Sequence, residues 1–419
     1  MTRVPRRLDA PRLDAPWLAE PPLADLLEVL DRDGEEARVV GGTVRNALFD
    51  QPHGDIDIAT TALPKEVISR VTAAGFKGVP TGIEHGTVTV VAAGHPYEVT
   101  TLREDVETYG RRAKVAFGRD WRRDAERRDF TMNALSLSRD GTIHDYVGGL
   151  ADIAERRVRF IGEAATRIRE DYLRILRFFR FHAAYGEGAP DRDGLAACIA
   201  ERAGLAQLSR ERVHMELIKL LMARHAVPAL ATMTEAGLLE EVLGGVPLLA
   251  SAANMIKLEA ALALAGDPVR RLGALAVSVA EDAERLRERL RLANAEYERL
   301  AAMADGWWHI SHEWGEREGR ALLYRLRPER FTDRVLLVWA RSPQGVADRA
   351  WQSIATLSQG WTAPAFPLKA SDFIQRGVAK GPQLGAALRA AEEAWIAADF
   401  PSDQAALDAI AEAARKGTG

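Results

Sequence analysis

HGDIDIATT, His53 to Thr61, sets two aspartates, Asp55 and Asp57, two positions apart between isoleucines in a segment that otherwise reads as buried strand. Side chains alternate faces along a strand, so residues i and i+2 project together. On that reading Asp55 and Asp57 share one face while Ile56 and Ile58 point into the core. Two ionised carboxylates side by side are costly unless a cation screens them. Mg²⁺ suits the task, because it takes hard oxygen ligands and is commonly held by one or two carboxylates plus substrate phosphates. Two such ions can stabilise the attacking and leaving oxygens of a phosphoryl displacement. A DxD taken alone also describes a solvent-facing strand edge or a turn, so its neighbours must decide. Upstream lies VVGGTVRNAL, Val39 to Leu48, which runs from a strand through a Gly-Gly turn into a helix start. Glycines let backbone N–H groups approach a phosphate closely, and a helix start favours anions. Gly42 lies in that turn, and Arg45, one turn into the helix, could reach the same phosphates.

Composition bounds the answer further. A chain of 419 residues calls for about two to four domains. With 47% hydrophobic and 28% charged residues it is globular and can bury a large core. The net charge of −4 and pI near 6.2 mean that any nucleic-acid surface must be a local concentration of positive charge. The single cysteine, Cys198, excludes a disulfide framework and a cysteine-built zinc site, and fits a reducing cytosol. No apolar run approaches the ~20 residues that span a bilayer, and the N-terminus carries arginines without a following apolar stretch, so a cytoplasmic location is expected. The unit RLDAP occurs twice in succession between Arg7 and Pro16 and reads as a loosely ordered leader over residues 1–22.

Two kinds of periodicity follow. From about Leu23 to Leu137 helix and strand signals alternate: a helix over Leu23 to Leu30, and strands over Ala37 to Val40, Asp55 to Ala59, Thr87 to Ala92, Tyr97 to Thr101 and Ala134 to Ser138. Arg103 to Trp121 is charged and poor in strand signal. After about Asp152 apolar residues recur at spacings of three and four, which predicts an all-helical remainder. The fold class is therefore α+β, a small mixed-sheet unit followed by helices.

GGTVRN followed closely by GDIDIAT resembles the head-domain signature of the class II tRNA nucleotidyltransferase and poly(A) polymerase family, a branch of the DNA polymerase β-like superfamily. The usual signature ends GGxxRD, and this chain has Asn46 in the last place. A third carboxylate often assists in that superfamily, and Glu98 of YEVTT is the candidate. RRDFTMNAL, Arg127 to Leu135, resembles the family's ribose-holding motif, carried here by Arg128, Asp129 and Asn133. A 2′-hydroxyl is both donor and acceptor, so an Arg–Asp pair suits it; seen alone, the pair is also what an exposed surface ion pair looks like.

RIREDYLRILRFFRF, Arg167 to Phe181, reads as one helix with Leu173, Leu176 and Phe179 on its apolar stripe. Asp171, Arg174 and Arg177 fall on an adjacent face, where intrahelical ion pairs are the ordinary expectation. Base edges give a second meaning. Cytosine and adenine both offer an amino donor beside a ring-nitrogen acceptor, whereas uracil and guanine reverse that order. Asp accepts and Arg donates, so Asp171 with Arg174 would admit CTP and ATP and refuse UTP and GTP. The segment resembles the family's EDxxR motif, and the resemblance extends to Arg177 and Arg180 as contacts to triphosphate and nucleotide.

DYVGGLADI, Asp145 to Ile153, resembles the head-to-neck joint. SRERVHMELIKLL, Ser209 to Leu221, resembles the next neck helix, with Ser209 able to cap it and a structural role expected. The charged segment Leu102 to Arg119 stands where the family has a flexible loop that helps the pocket change from C to A addition. The resemblance divides the chain into a nucleotidyltransferase head at 23–151, a helical neck at 152–222 and an RNA-binding body and tail at 223–419.

In the last of these, Arg317 to Arg334 interleaves arginines with Tyr324 and Phe331, a composition that suits phosphate contact and base stacking as well as an amphipathic helix. GVAKGPQLG, Gly377 to Gly385, resembles a glycine-rich turn between helices near the family's C-terminus, where exposed N–H groups and Lys380 could meet backbone phosphate; a plain helix–helix turn fits the residues equally well. His309 and His312 lie in WWHISHEW without further metal-type ligands, and a packed aromatic helix is expected there.

The function implied is template-independent addition or repair of the 3′-terminal CCA of tRNA from CTP and ATP. Asp55 and Asp57 would be catalytic and hold Mg²⁺. Gly42, Arg45, Arg128, Asp129, Asn133, Asp171, Arg174, Arg177 and Arg180 would bind nucleotide. A poly(A) polymerase on the same scaffold is the near alternative. A non-catalytic RNA-binding protein, for which Asn46 is the only foothold, is the distant one.

Overall fold

The computed structural model describes residues 11–52, 54–109 and 112–417, with backbone alone over 104–109 and 112–115. The chain divides into two compact units, 1–241 and 242–419. Head and neck thus share one unit.

The first unit opens with helix α1 (Leu23–Leu30), whose Leu23, Leu26, Leu27 and Leu30 are buried. Strand β1 (Ala37–Val40) is buried along its whole length, as a central strand requires. It turns through Gly41, at φ 71°, into α2 (Gly42–Leu48). Next come β2 (Asp57–Thr60), α3 (Pro64–Ala73), β3 (Lys77–Gly82), β4 (Thr87–Ala92) and β5 (His95–Thr101). The α3 start is set by Pro64 in its first turn and by Glu66, which accepts from the Leu63 N–H at 3.0 Å. A two-stranded ladder of β6 (Arg103–Tyr109) and β7 (Arg112–Phe117) stands apart from the main sheet. Helix α4 (Trp121–Glu126), β8 (Ser136–Leu137), β9 (Ile143–His144) and α5 (Gly149–Ala154) complete the α/β part.

The sheet order is β3-β4-β5-β2-β1-β8-β9. All neighbours are antiparallel except β2 and β5, which run parallel in a register that sets Asp57 beside Glu98. Beneath this end of the sheet Val40, Ala59, Leu102 and Trp121 form one apolar cluster.

The neck follows as α6 (Ala164–Glu170), α7 (Leu173–Tyr185), α8 (Arg192–Ala200), α9 (Arg210–Leu221) and α10 (Ala226–Glu235). Helices α7, α9 and α10 pack together. Phe178, Phe179 and Phe181 of α7 are buried and, with Phe130 and Phe160, form an aromatic cluster with ring centroids 4.9 to 6.3 Å apart.

The second unit is helical among its described residues. It contains α11 (Leu239–Leu243) from Val242 onward, then α12 (Leu249–Ala261), α13 (Pro268–Ala276), α14 (Ala280–Leu290), α15 (Asn294–Ala304), α16 (Glu316–Leu326), α17 (Pro328–Arg341), α18 (Arg349–Gly360), α19 (Ala370–Gln375), α20 (Pro382–Ala397) and α21 (Gln404–Lys416). No described helix is long and apolar enough to cross a membrane.

Several sequence expectations change. Strand β2 starts at Asp57, so Asp55 precedes the ladder, and Ile56 is only half-buried where Ile58 is fully buried. Strand β3 carries lysine, proline and glycines with no strand periodicity; it forms because β4 offers it an edge. The stretch read as strand-poor, Arg103 to Trp121, holds β6 and β7, and residues 110 and 111 lie outside the described residues.

Of the expected loose leader, the part from residue 11 is docked. Arg12 bridges Thr142, the Leu13 N–H donates to the Gly141 carbonyl at 2.9 Å, and Leu18 is buried. The helix expected from Arg167 to Phe181 is broken at Asp171, which caps α6 at φ −156°.

In the second unit Phe331 is fully buried, and Tyr324 donates to Glu392 at 2.5 Å while packing on Trp395 and Phe400, so neither ring is free to stack a base. Arg320, Arg325, Arg330 and Arg334 each pair with a carboxylate of the same unit. The tryptophan-histidine stretch is a short 3-10 turn, Trp307–His309, with Trp308 58% exposed, not a packed helix.

Candidate active site

The Gly-Gly turn brings the first pieces together. The Thr43 Oγ1 donates to the Asp55 carbonyl at 3.0 Å, which ties the loop before β2 to the first turn of α2. Asp55 and Asp57 are exposed, and the parallel register places Glu98 next to Asp57. Partial burial pushes the Asp57 carboxyl above its usual range. Glu98 and Asp55 push the same way, and Arg128 pulls it down. Such mutual repulsion among hard oxygen donors fits a divalent cation. Among the described residues no group of three His, Cys, Asp or Glu forms a ready metal cage. Two carboxylates with room for substrate oxygens are what a metal shared with a triphosphate needs.

Arg128 stands beside this pair. A side-chain carbon at Gly41 would lie in ordinary contact with its Nη1, at 3.4 Å, so it is the φ of 71° that calls for glycine there. Its Nε and Nη2 donate to Asp124 Oδ2 at 3.3 and 3.1 Å, and Nη1 donates to the Asn133 carbonyl at 3.3 Å. Asp124 is buried. Burial would raise its carboxyl, but Arg128 and Arg127 hold it low.

Asp129 is buried and fully bonded. Its Oδ1 accepts from the Phe130 N–H at 2.8 Å and from Asn133 Nδ2 at 3.0 Å. Its Oδ2 accepts from Arg177 Nε and Nη2 at 2.7 and 2.6 Å. Burial opposes the charge, yet Arg177 and Asn133 keep the carboxyl below its ordinary range.

Arg45 differs from expectation. It is buried, with Nη1 donating to Asn133 Oδ1 at 2.6 Å, Nη2 to Tyr185 Oη and Asn46 Oδ1 at 2.8 Å each, and Nε to Asn46 Oδ1 at 3.2 Å. Its guanidinium lies 4.2 Å above the Tyr185 ring. Burial lowers its pKa, and Tyr185 opposes that. Arg45 is thus a strut between α2, the ribose-type segment and α7, with most of its donors committed. Asn46 belongs to the same strut. Its Oδ1 also accepts from Tyr185 Oη, and its Nδ2 donates to the Pro52 carbonyl at 3.3 Å.

The residues expected to read the base sit at the helix break. Asp171 Oδ1 accepts from the Leu173 N–H at 3.1 Å, and Oδ2 accepts from Arg212 Nη2 at 2.6 Å. Arg174 Nη1 donates to Glu170 Oε2 at 2.5 Å and to the Arg167 carbonyl at 2.6 Å. The side chains of Asp171 and Arg174 are therefore held by separate partners, and the two residues meet only through the Arg174 N–H, which donates to the Asp171 carbonyl at 3.0 Å. Asp171, Tyr172, Ser209 and Arg212 line a cleft of about 840 Å³, within the range of ligand sites. Arg180 Nε donates to Glu216 Oε2 at 2.5 Å, and Arg177 Nη1 lies 3.8 Å from Glu216 Oε1.

Sequence reasoning missed Asp124, Glu216, Arg212 and Arg167. Arg167 donates to the carbonyls of Arg127 and Arg128. Three of these had a signal: Asp124 precedes Arg127 and Arg128 by three and four residues, and Arg212 and Glu216 are four apart on one helix face. Ser209 holds the N-cap position of α9 without a side-chain capping bond. Cys198 is buried with its thiol pushed up by burial, which excludes it as a nucleophile.

Comparison with known proteins agrees with this geometry. Residues 37–159 match the poly(A) polymerase head domain, and residues 190–252 match the probable RNA- and SrmB-binding site of polymerase A. The mitochondrial CCA tRNA nucleotidyltransferase 1 of Danio rerio is 34% identical over 384 residues, 89% of this chain and 86% of that protein. The CCA-adding enzyme of Bacillus cytotoxicus is 42% identical over 214 residues, 50% of this chain and 52% of that protein. The crystal structure of the Bacillus stearothermophilus CCA-adding enzyme in complex with CTP superposes with a TM-score of 0.75 at 29% identity, covering 95% of this chain and 99% of that one. A mixed seven-stranded sheet with a carboxylate pair at its lip, an Arg–Asp segment beside it, a helical neck and these similarities along most of the chain have one common source: the chain belongs to the CCA-adding tRNA nucleotidyltransferase and poly(A) polymerase family.

Proposed function

We propose that the protein adds or repairs the 3′-terminal CCA of tRNA from CTP and ATP, releasing pyrophosphate, with Mg²⁺ as its metal. The observation that carries this reading is the placement of Asp57 beside Glu98 in register, with Asp55 on the adjoining loop and Arg128 close by. Bound between Asp55 and Asp57, the metal would neutralise triphosphate charge and make the RNA 3′-hydroxyl a better nucleophile.

The protein's own groups do the rest. The backbone of Gly42 and the guanidinium of Arg128 receive phosphate and ribose oxygens. Asp129, with Asn133 behind it, fixes the ribose side of the site. Arg174 keeps Nε and Nη2 without a partner among the described residues, and Asp171 keeps a lone pair on each oxygen, so both can meet a base edge. Arg177 and Arg180, held by Asp129 and Glu216, supply positive charge along the same wall. Arg45 acts as a strut and not as a phosphate ligand. A reducing compartment such as the cytoplasm suits the lone buried Cys198.

The test is incorporation by the full chain on tRNA lacking CCA, with CTP, ATP and Mg²⁺, followed by sequencing of the 3′ ends. Termination after CCA is expected. A long run of A would replace this reading with poly(A) addition. No incorporation with tRNA still bound would mean a non-catalytic RNA-binding protein.

A further inference from the structure

We propose that Arg212 on α9 is a specificity-determining positioning residue, which fixes the Asp171 carboxylate so that it accepts a hydrogen bond from the amino group of C or A and cannot adapt to U or G. The inference rests on the base-reading role of Asp171 given above and adds a residue to it.

Asp171 sits at a break between two helices, in an extended conformation, where no helix turn holds its side chain. Two contacts replace that support. The Leu173 N–H binds one oxygen at 3.1 Å, and Arg212 binds the other at 2.6 Å. A carboxylate gripped at both oxygens has its plane fixed and still offers one lone pair from each. With the backbone contact alone, the group would pivot about its bonds, and an acceptor that pivots loses its power to refuse a carbonyl. The next helix turn has the same architecture, since Glu216, four residues after Arg212, grips Arg180 and lies near Arg177. One face of α9 thus backs the nucleotide-facing side chains from Asp171 to Arg180.

Stability alone is a weak reason for this pair. Both side chains are 33% exposed on the wall of the cleft. Ion pairs with that much solvent contribute little to folding. What the pair does fix is the direction of one acceptor, and displacing a reacting or reading group by about 1 Å costs on the order of 100-fold in rate.

The experiment measures kcat and KM of the full-length protein for CTP, ATP, UTP and GTP on tRNA substrates awaiting C or A. It compares the parent with Arg212→Gln, Arg212→Lys, Asp171→Asn and the double variant, and melting curves confirm folding. For Arg212→Gln the expected result is a roughly 10-fold or larger fall in the CTP-to-UTP and ATP-to-GTP ratios of kcat/KM. Most of the loss should lie in KM, with partial recovery of the ratio in Arg212→Lys. The double variant should be no less selective than Asp171→Asn alone, because Arg212 acts through Asp171. An Arg212→Gln protein that loses rate equally for all four nucleotides, or loses none, overturns the proposal while leaving the base-reading role intact, provided Asp171→Asn is unselective. If Asp171→Asn keeps full selectivity, the base-reading role and this proposal fall together.

Discussion

Replacing Asp129 by asparagine tests the joint between the ribose-type segment and the neck. Asp129 accepts four hydrogen bonds, two on each oxygen. An amide of the same shape keeps one accepting oxygen. If that oxygen faces Phe130 and Asn133, the amide nitrogen confronts Arg177; if it faces Arg177, the nitrogen confronts two N–H donors. Either way two bonds are lost, and Arg177 keeps only Glu216, 3.8 Å away, as counter-charge. Bonds to charged groups contribute about 1.5–3 kcal/mol each. Because the Arg177 side chain is 31% exposed, water recovers part of that, and a net cost of about 3 kcal/mol is expected. For a unit of this size that is roughly 6–12 °C in melting temperature.

The cost depends on pH in a fixed direction. Asp129 is held below its ordinary range in the fold, so its contribution is fully present above the unfolded carboxylate value and is lost as pH falls through the depressed folded one. Melting followed by circular dichroism from pH 7 down to about 3 should therefore show the gap between parent and Asp129→Asn closing at the acid end. A gap below about 1 kcal/mol at pH 7, or one that stays constant into acid, would refute the account of this carboxylate as the ionised centre of the network.

Three further outcomes follow from other parts of the site. Asp57→Asn should raise the melting temperature at neutral pH in the absence of metal. The Asp57 carboxyl is held above its usual range, so its ionisation weakens the fold as pH rises through that value, and the two proteins should converge in acid. Added Mg²⁺ should then stabilise the parent and not the variant, read by the same melts. Gly149→Ala would put a methyl group 2.4 Å from the Thr131 carbonyl, a backbone atom that cannot swing aside; a loss of about 1–3 kcal/mol in denaturant titration is expected. Asn46→Asp should keep the three contacts made to Oδ1 and lose only the 3.3 Å donation to the Pro52 carbonyl, so incorporation rates within about 2-fold of the parent and a stability change under about 1 kcal/mol are expected.

How far the sequence could be read depended on how local each determinant is. The α+β class was legible because β4 alternates buried and half-buried residues while the later helices repeat every three to four. The neighbourhood of Asp55 and Asp57 was legible because a glycine turn and a strand end are encoded within a few residues. Strand β3 was not, since its own residues carry no strand signal and its place comes from β4. The break at Asp171 was hidden for a related reason. Helix periodicity runs straight through it, and the competing contacts come from Arg212, 41 residues away, and from Gly204, where any side chain would overlap the Tyr172 ring. The burial of Arg45 follows from Tyr185 and Asn133, 140 and 88 residues distant, and no local pattern announces either.

Those distant partners explain why the side chains of the site are so fully engaged with one another. Tyr185, Arg45, Asn133, Asp129, Arg177, Glu216 and Arg180 form a continuous chain of contacts from the first helix after the glycine turn to the far face of the neck. Each charge in it has an opposite or a hydrogen-bonding neighbour, so the arginines are prepaid in orientation and need not be ordered by the ligand. A base-reading site without a nucleic-acid template has to discriminate by geometry alone, and geometry that relaxed with each substrate would accept all four bases. The rigid part of that demand falls on the network around Asp129 and Glu216. On the proposed reading the part left open is at the helix break, where Arg174 keeps Nε and Nη2 without a partner among the described residues and Asp171 keeps a lone pair on each oxygen. A protein selecting two bases at one site needs that division: C and A differ in size but share a donor–acceptor order, so the reading atoms must stay fixed in direction while the space behind them accommodates either ring.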